Sequence, residues 1–293
     1  MVNENKIILD LWGGKHSLDK ETLNYKINRE CGLFSNLTVG MYGIMKYNSL
    51  GYLPKTISLY LNEYKYDYDF YYDLFKPNDF NLNFDDIDED EMFNFFRYCE
   101  PNSLGLGRKK LDVNFKILDR IIKKYFTLSD TCNQIIDNII LKHNINLNNT
   151  VFIWARKTDK VFEVNIPTPE TYVNILKENN LIDKDIILQT DDFSVLNEFK
   201  SLGLKFKTLN ELPYSYTNNG FHVGMSKTHD DEFIKEFNMS KVEYLQKLLS
   251  LSKIASMCEY SIVYPGCLST LIPIFKNNFN NQFSFINKTS LIE

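Results

Sequence analysis

The chain has 293 residues, 44% of them apolar and 14% aromatic, with 18 Tyr and 22 Phe. That is enough apolar mass for a packed core and for two domains, and it excludes a disordered chain. The net charge of −5 comes with no extended basic stretch, which excludes nucleic acid as a main partner but leaves room for a small polyanionic ligand held by a few local cations.

In chain order, residues 6–12 read as a strand. Gly32-Leu33-Phe34-Ser35-Asn36 opens a helix through Tyr47, and residues 53–60 are a further strand candidate. Residues 64–72 (YKYDYDFYY) are aromatic and acidic by turns, and residues 85–91 (DDIDEDE) form an acidic run expected to be solvated. Residues 120–125 and 130–143 read as helices. The short polar stretch 144–149 (NINLNN) predicts the junction between an N-terminal domain, 1–148, and a C-terminal domain, 149–293.

The second half is more regular. Residues 150–156 read as a strand, and 169–180 as a helix with Thr168 at its N-cap and Pro169 at its first position. Residues 185–190 (DIILQT) are a continuous apolar strand, 193–202 a short helix ending at Gly203, and 205–209 a strand. Ser240 and Glu243 form a capping box for a helix to Cys258, whose apolar stripe is Leu245, Leu248, Leu249 and Ile254. Residues 260–264 read as a strand, 268–277 as a helix and 282–286 as a last strand. Strands that alternate with helices and are apolar on both faces predict an α/β fold with a parallel sheet covered on both sides. Such sheets bind ligands at the carboxyl ends of their strands.

The five cysteines show no CxxC pair and no histidine at metal-ligand spacing, which fits free thiols in a reducing, cytoplasmic compartment. No apolar run approaches the ~18 residues of a membrane span, so none is expected.

Polar groups gather at the strand ends. Arg156, Lys157, Asp159 and Lys160 follow one strand directly, where a guanidinium can fork onto a phosphate; the plain alternative is a solvated charged loop. Asp191 and Asp192 end the next strand, where they can hold a divalent metal, orient a ligand or cap the following helix. Tyr264-Pro265-Gly266-Cys267-Leu268-Ser269-Thr270 ends a third strand and opens a helix. Small residues there let backbone N–H groups approach an anion, although Pro and Gly also punctuate any turn. His222, in the loop before the long helix, is a ligand contact or a surface histidine.

The order of these motifs resembles the α-1,6-fucosyltransferase group and its relatives, the α-1,2- and protein O-fucosyltransferases. An apolar strand runs into Trp154-Ala155-Arg156-Lys157-Thr158-Asp159-Lys160, similar to the family's H-x-R-R-T-D-K, with Glu163 shortly after. Thr190-Asp191-Asp192 resembles the family's T-D-D, Gly220-Phe221-His222 its G-L-H, and Pro265–Thr270 its small-residue turn. Gly32, Phe34, Ser35 and Asn36 are similar to its Gly-rich first loop. Trp154 stands where the family has histidine, Lys157 where it has a second arginine, and Leu251 at the register of an acidic guanine contact.

The resemblance implies a GT-B fold of two facing Rossmann-like domains, with the site in the cleft between them. It implies an inverting, metal-independent transfer of a sugar, fucose from GDP-fucose in the family, onto a glycan or other hydroxyl acceptor. No cofactor is implied beyond the nucleotide-sugar donor. Arg156 would hold the donor β-phosphate, Glu163 would be the base, and Asp159 and Lys160 would orient the acceptor. Trp154, Lys157, Asp191, Asp192, His222, Gly266, Cys267, Ser269 and Thr270 would line the donor site. A catalytically inactive nucleotide- or glycan-binding relative is the alternative, and a metal-dependent transferase using Asp191 and Asp192 a further one. A soluble enzyme from a microbe or a large virus fits the composition.

Overall fold

The computed structural model describes residues 5–11, 14–28, 32–61, 68–79, 115–157, 167–212, 238–264, 266–278, 280–286 and 290–292. They form two compact units, divided between Thr131 and Cys132. Both are mixed α/β.

The N-terminal unit holds a four-stranded sheet, β1 (Lys6–Leu11), β2 (Gly14–Asp19), β3 (Asn24–Asn28) and β4 (Thr56–Tyr60), in that spatial order. The first three strands are antiparallel neighbours and β3 pairs parallel with β4. The parallel pair needs a crossover, which is helix α1 (Leu33–Ser49). The β2–β3 turn is fixed by Asp19, whose Oδ1 accepts from the Thr22 amide at 2.8 Å and the Glu21 amide at 3.1 Å. Helix α1 lies close on β3 because it presents glycines there. A Cβ on Gly40 would stand 2.5 Å from Ile27 Cδ1, and one on Gly43 2.0 Å from Tyr25 Oη. Helices α2 (Tyr71–Leu74) and α3 (Phe115–Tyr125) complete the unit. They are tied by the Tyr71 hydroxyl donating to the Tyr125 carbonyl at 2.5 Å and by edge-on packing of Phe75 and Phe126.

The C-terminal unit begins in helix α4 (Asp130–His143), and its sheet runs β6 (Asp185–Thr190), β5 (Thr150–Ala155), β7 (Tyr260–Val263), β8 (Gln282–Ile286), β9 (Ser290–Ile292). The first four are mutually parallel and β9 is antiparallel to β8. Outside β6 lies a single parallel bridge, Ile187 to Lys207, which is all that forms of the strand expected at 205–209. Counted along the chain with that bridge as the third strand, the spatial order is 3-2-1-4-5-6, the order of a doubly wound dinucleotide-type sheet.

Helices cover both faces. Helices α5 (Pro169–Glu178) and α6 (Phe193–Ser201) pack on the face carrying Val151, Ile153, Ile186, Leu188 and Ile262, through Tyr172, Val173, Leu176, Val195 and Phe199. Phe152 and Trp154 alternate onto the other face. In register with Phe152 on that face, through Ser261, is Gln282. Its Nε2 donates to the Ser269 carbonyl of helix α8 (Cys267–Lys276) at 2.8 Å, which places α8 on the face opposite α5 and α6. Helix α7 (Lys241–Met257) packs against α8. Its cap forms as the sequence predicts, with the Glu243 amide donating to Ser240 Oγ at 3.1 Å. Gly203, at φ +76°, ends the turn after α6. Among the described residues no helix is long and apolar enough to cross a membrane.

Candidate anion site at the strand switch point

The chain steps from β5 outward to β6, then crosses back to place β7 on the other side of β5. The strand order therefore reverses between β5 and β7, and in sheets of this kind the crevice at that reversal is where ligands bind. Three segments meet there: Arg156 and Lys157 after β5, Asp191 and Asp192 after β6, and Tyr264 and Gly266 after β7. The Tyr264 amide donates to the Trp154 carbonyl at 3.1 Å, so the ladder between β5 and β7 runs to the last residue before the crevice.

The two adjacent carboxylates do different work. Asp192 caps α6, its Oδ1 accepting from the Ser194 amide at 2.8 Å. Asp191 turns the other way. Its Oδ2 accepts from Arg156 Nε at 2.9 Å and its Oδ1 from the Lys157 amide at 3.0 Å. Both ends of that ion pair are largely shielded, at 18% side-chain exposure each. The Lys157 ammonium reaches past it to Glu198 Oε1 on α6. The helix cap, one of the alternatives for the pair, forms at Asp192, while Asp191 holds Arg156 and the Lys157 amide. Among the described residues no group of three or more His, Cys, Asp or Glu could hold a metal ion.

The guanidinium carbon of Arg156 also stands 5.9 Å from the centroid of the Tyr264 ring, on the far side of the reversal. The Tyr172 phenol, 1% exposed on α5, lies within electrostatic reach of both Tyr264 and Asp191. Burial pushes its ionisation well above the usual tyrosine range, and these two neighbours push it the same way. The sequence reads Tyr264 only as the end of a strand and gives Tyr172 no role, since a tyrosine beside an apolar run reads as core; the strand order is what brings Tyr264 to Arg156.

The remaining expected residues are placed as follows. Trp154 is 5% exposed and packs on Phe152 at 5.8 Å between ring centroids, so it belongs to the core under the crevice. Gly266 occupies the N-cap position of α8, with Cys267 half-buried at the first helical position. The Ser269 hydroxyl turns back to the Gly266 carbonyl at 2.6 Å, and the Ser269 amide donates to the same oxygen at 3.0 Å. That occupies the acceptor a threonine hydroxyl one residue on would normally use. Among the described residues, Thr270 Oγ1 is buried without a hydrogen-bond partner. In the N-terminal unit, Gly32 is the N-cap of α1 and Phe34 is buried beside half-buried Ser35. Asn36 is fully buried, its side-chain Nδ2 donating to the Gly32 carbonyl at 3.3 Å. Thr158, Asp159, Lys160, Glu163, Gly220, Phe221, His222, Pro265, the acidic run 85–91 and residues 64–67 lie outside the described residues.

No protein-family model matches the chain, and no curated protein matches it.

Proposed function

We propose that the chain is an inverting glycosyltransferase of GT-B type that holds the diphosphate of a nucleotide sugar at the carboxyl ends of β5 and β7. One observation carries this reading. The doubly wound strand order brings the end of β5, with the clamped Arg156, beside the end of β7, where Arg156 stands 5.9 Å from the ring of Tyr264, two residues before the N-cap of α8. A guanidinium forks onto phosphate oxygens, and the first N–H groups of a helix face an anion with the helix dipole behind them. The resemblance of Arg156-Lys157-Thr158-Asp159-Lys160 to the fucosyltransferase signature makes GDP-fucose the first donor to test.

In the proposed reaction the acceptor hydroxyl oxygen bonds to the anomeric carbon while the bond from that carbon to the β-phosphate oxygen breaks. GDP departs with the electron pair, and Glu163 takes the acceptor proton. The negative charge that develops on the departing diphosphate is what Arg156 stabilises. A transfer assay with GDP-fucose tests this. Arg156→Ala is expected to lower the rate at least ~10²-fold, the scale for removing a positioned electrostatic stabiliser. Near-normal turnover in that variant would overturn the assignment.

A second reading, a relative that binds a nucleotide or glycan without turnover, draws on Trp154. Where the fucosyltransferases carry a histidine, this chain buries an indole in its core. Glu163→Gln separates the two: it abolishes transfer and spares donor binding if the chain is an enzyme, and changes nothing measurable if the chain only binds.

A further inference from the structure

We propose that the outer edge of β1 is a self-complementary interface, through which two copies of this chain pair antiparallel about Ile8. The surface belongs to the N-terminal unit and does not depend on the diphosphate reading.

β1 ends its sheet, and among the described residues no strand or bridge lies on its outer side. The direction of its main-chain groups follows from one bond. The Lys20 amide donates to the Asn5 carbonyl at 2.8 Å, and these two residues continue the β1–β2 register. In an antiparallel ladder the bonded pairs recur at every second residue. Ile7, Leu9 and Leu11 therefore exchange bonds with β2, and the N–H and C=O groups of Lys6, Ile8 and Asp10 point outward. The same three residues carry the exposed side chains of the strand, with Ile8 57% exposed. The strand is held from within as well, the Ile7 carbonyl accepting from the Tyr47 hydroxyl of α1 at 3.2 Å. A partner strand therefore meets an edge that is already ordered.

Edge strands are commonly blunted by charge, lysine above all, which meets its own kind when two copies approach. The charges on β1 differ. Lys6 and Asp10 are opposite in sign and lie symmetrically about Ile8. A two-fold axis at Ile8 sets Ile8 against its own copy and Lys6 against Asp10 of the second copy, once on each side of the axis. These are the positions whose main-chain groups point outward, so each becomes a bonded pair of the new ladder. The signs also alternate across the joined sheets. Within one chain Lys6 faces Asp19 and Asp10 faces Lys15. Pairing continues that row from Asp19 and Lys6 to Asp10 and Lys15 of the second copy, with opposite charges adjacent at every step. A shift by one step of the ladder in either direction sets Ile8 against Lys6 or Asp10 and breaks both ion pairs.

The test is sedimentation velocity of the full chain over a rising concentration series, with thermal melts to establish that each variant is folded. Wild type is expected to move from the 34.5 kDa chain toward twice that mass. Lys6→Glu and Asp10→Lys each set like charges across the axis and are expected to weaken self-association at least about tenfold. Mixed together, the two variants should associate with each other as wild type does with itself, because each supplies the sign the other needs. Both reversals also set like charges against β2, Lys6→Glu at Asp19 and Asp10→Lys at Lys15, and lower the melting temperature. Lost stability alone would not make them associate on mixing. Ile8→Pro removes an N–H that points outward and not to β2, so it should fold and abolish the dimer, and it carries the test where a reversal does not fold. A wild type that stays monomeric, a dimer that survives Ile8→Pro, or reversed chains that do not associate on mixing would each overturn the inference.

Discussion

Asp191 grips Arg156 and the chain just beyond it together, accepting from Arg156 Nε at 2.9 Å and from the Lys157 amide at 3.0 Å. Its neighbour Asp192 faces away into the cap of α6. Two like residues side by side thus carry separable tasks. Asp191→Asn removes the charge opposite Arg156 and is expected to weaken GDP more than tenfold. Asp192→Ala is expected to cost about 1 kcal/mol of stability, and Asp192→Asn close to nothing, because asparagine caps as well as aspartate. Chemical denaturation of the three variants, with GDP titration of the first, checks both.

The close approach of α1 to β3 predicts a steric coupling between Gly43 and Tyr25. Gly43→Ala would set a methyl 2.0 Å from Tyr25 Oη, whose ring is fully buried and whose hydroxyl also meets His16 Nδ1 at 3.0 Å. Overpacking of this kind costs typically about 1–3 kcal/mol. Tyr25→Phe removes the clashing oxygen, so the double variant should be more stable than Gly43→Ala alone. A denaturation cycle over the four proteins measures the coupling, and strictly additive effects would contradict the packing.

The cysteines differ in reactivity by position. Burial pushes the Cys258 thiol up to about 12, and Cys132 is equally enclosed. Cys267 is half-buried at the first turn of α8, where a helix N-terminus favours thiolate. Brief iodoacetamide treatment followed by peptide mass spectrometry should mark Cys267 and spare Cys132 and Cys258. GDP should slow the labelling of Cys267.

Acid should reach Glu211 in a defined window. Burial raises its carboxyl, but hydrogen bonds from Lys142 at 2.7 Å and His143 at 3.1 Å outweigh that and hold it below the usual range. The folded carboxyl binds its proton less tightly than the unfolded one. Its contribution is therefore complete above the unfolded value of about 4.3 and is lost as pH falls through the lowered folded value. Glu211→Gln should melt below wild type at pH 6, and the gap should close below about pH 4. A gap independent of pH would contradict the ion pairing.

The C-terminal unit was largely legible in the sequence because its strands are apolar on both faces and its helices carry explicit punctuation. Ser240 with Glu243 caps α7, Pro169 opens α5, and Gly203 closes the turn after α6. The hairpin of β1 and β2 and the strand β3 were less legible. GKHSLD and NYKIN mix lysine, asparagine and aspartate into strands whose pairing, not their propensity, settles their conformation. The stretch 205–209 looked equally strand-like, yet only Lys207 bridges to β6. The candidate site divides the same way. Arg156 and the turn at Gly266 stand at strand ends and can be found by reading the chain. Tyr264 becomes a neighbour of Arg156 only once β7 returns beside β5, and Tyr172 comes near Asp191 only once α5 packs on the sheet, which no local pattern encodes.

In the proposed function a nucleotide diphosphate binds at the reversal between β5 and β7 through Arg156. A thermal melt of the wild-type chain and of Arg156→Ala, each with GDP-fucose in EDTA, tests it most directly. At a ligand concentration about 100-fold above Kd, a bound ligand adds about 2.7 kcal/mol of stability. A clear upward shift is expected for wild type, one that EDTA does not reduce and that Arg156→Ala abolishes. No shift in wild type, or an equal shift in both proteins, would contradict it.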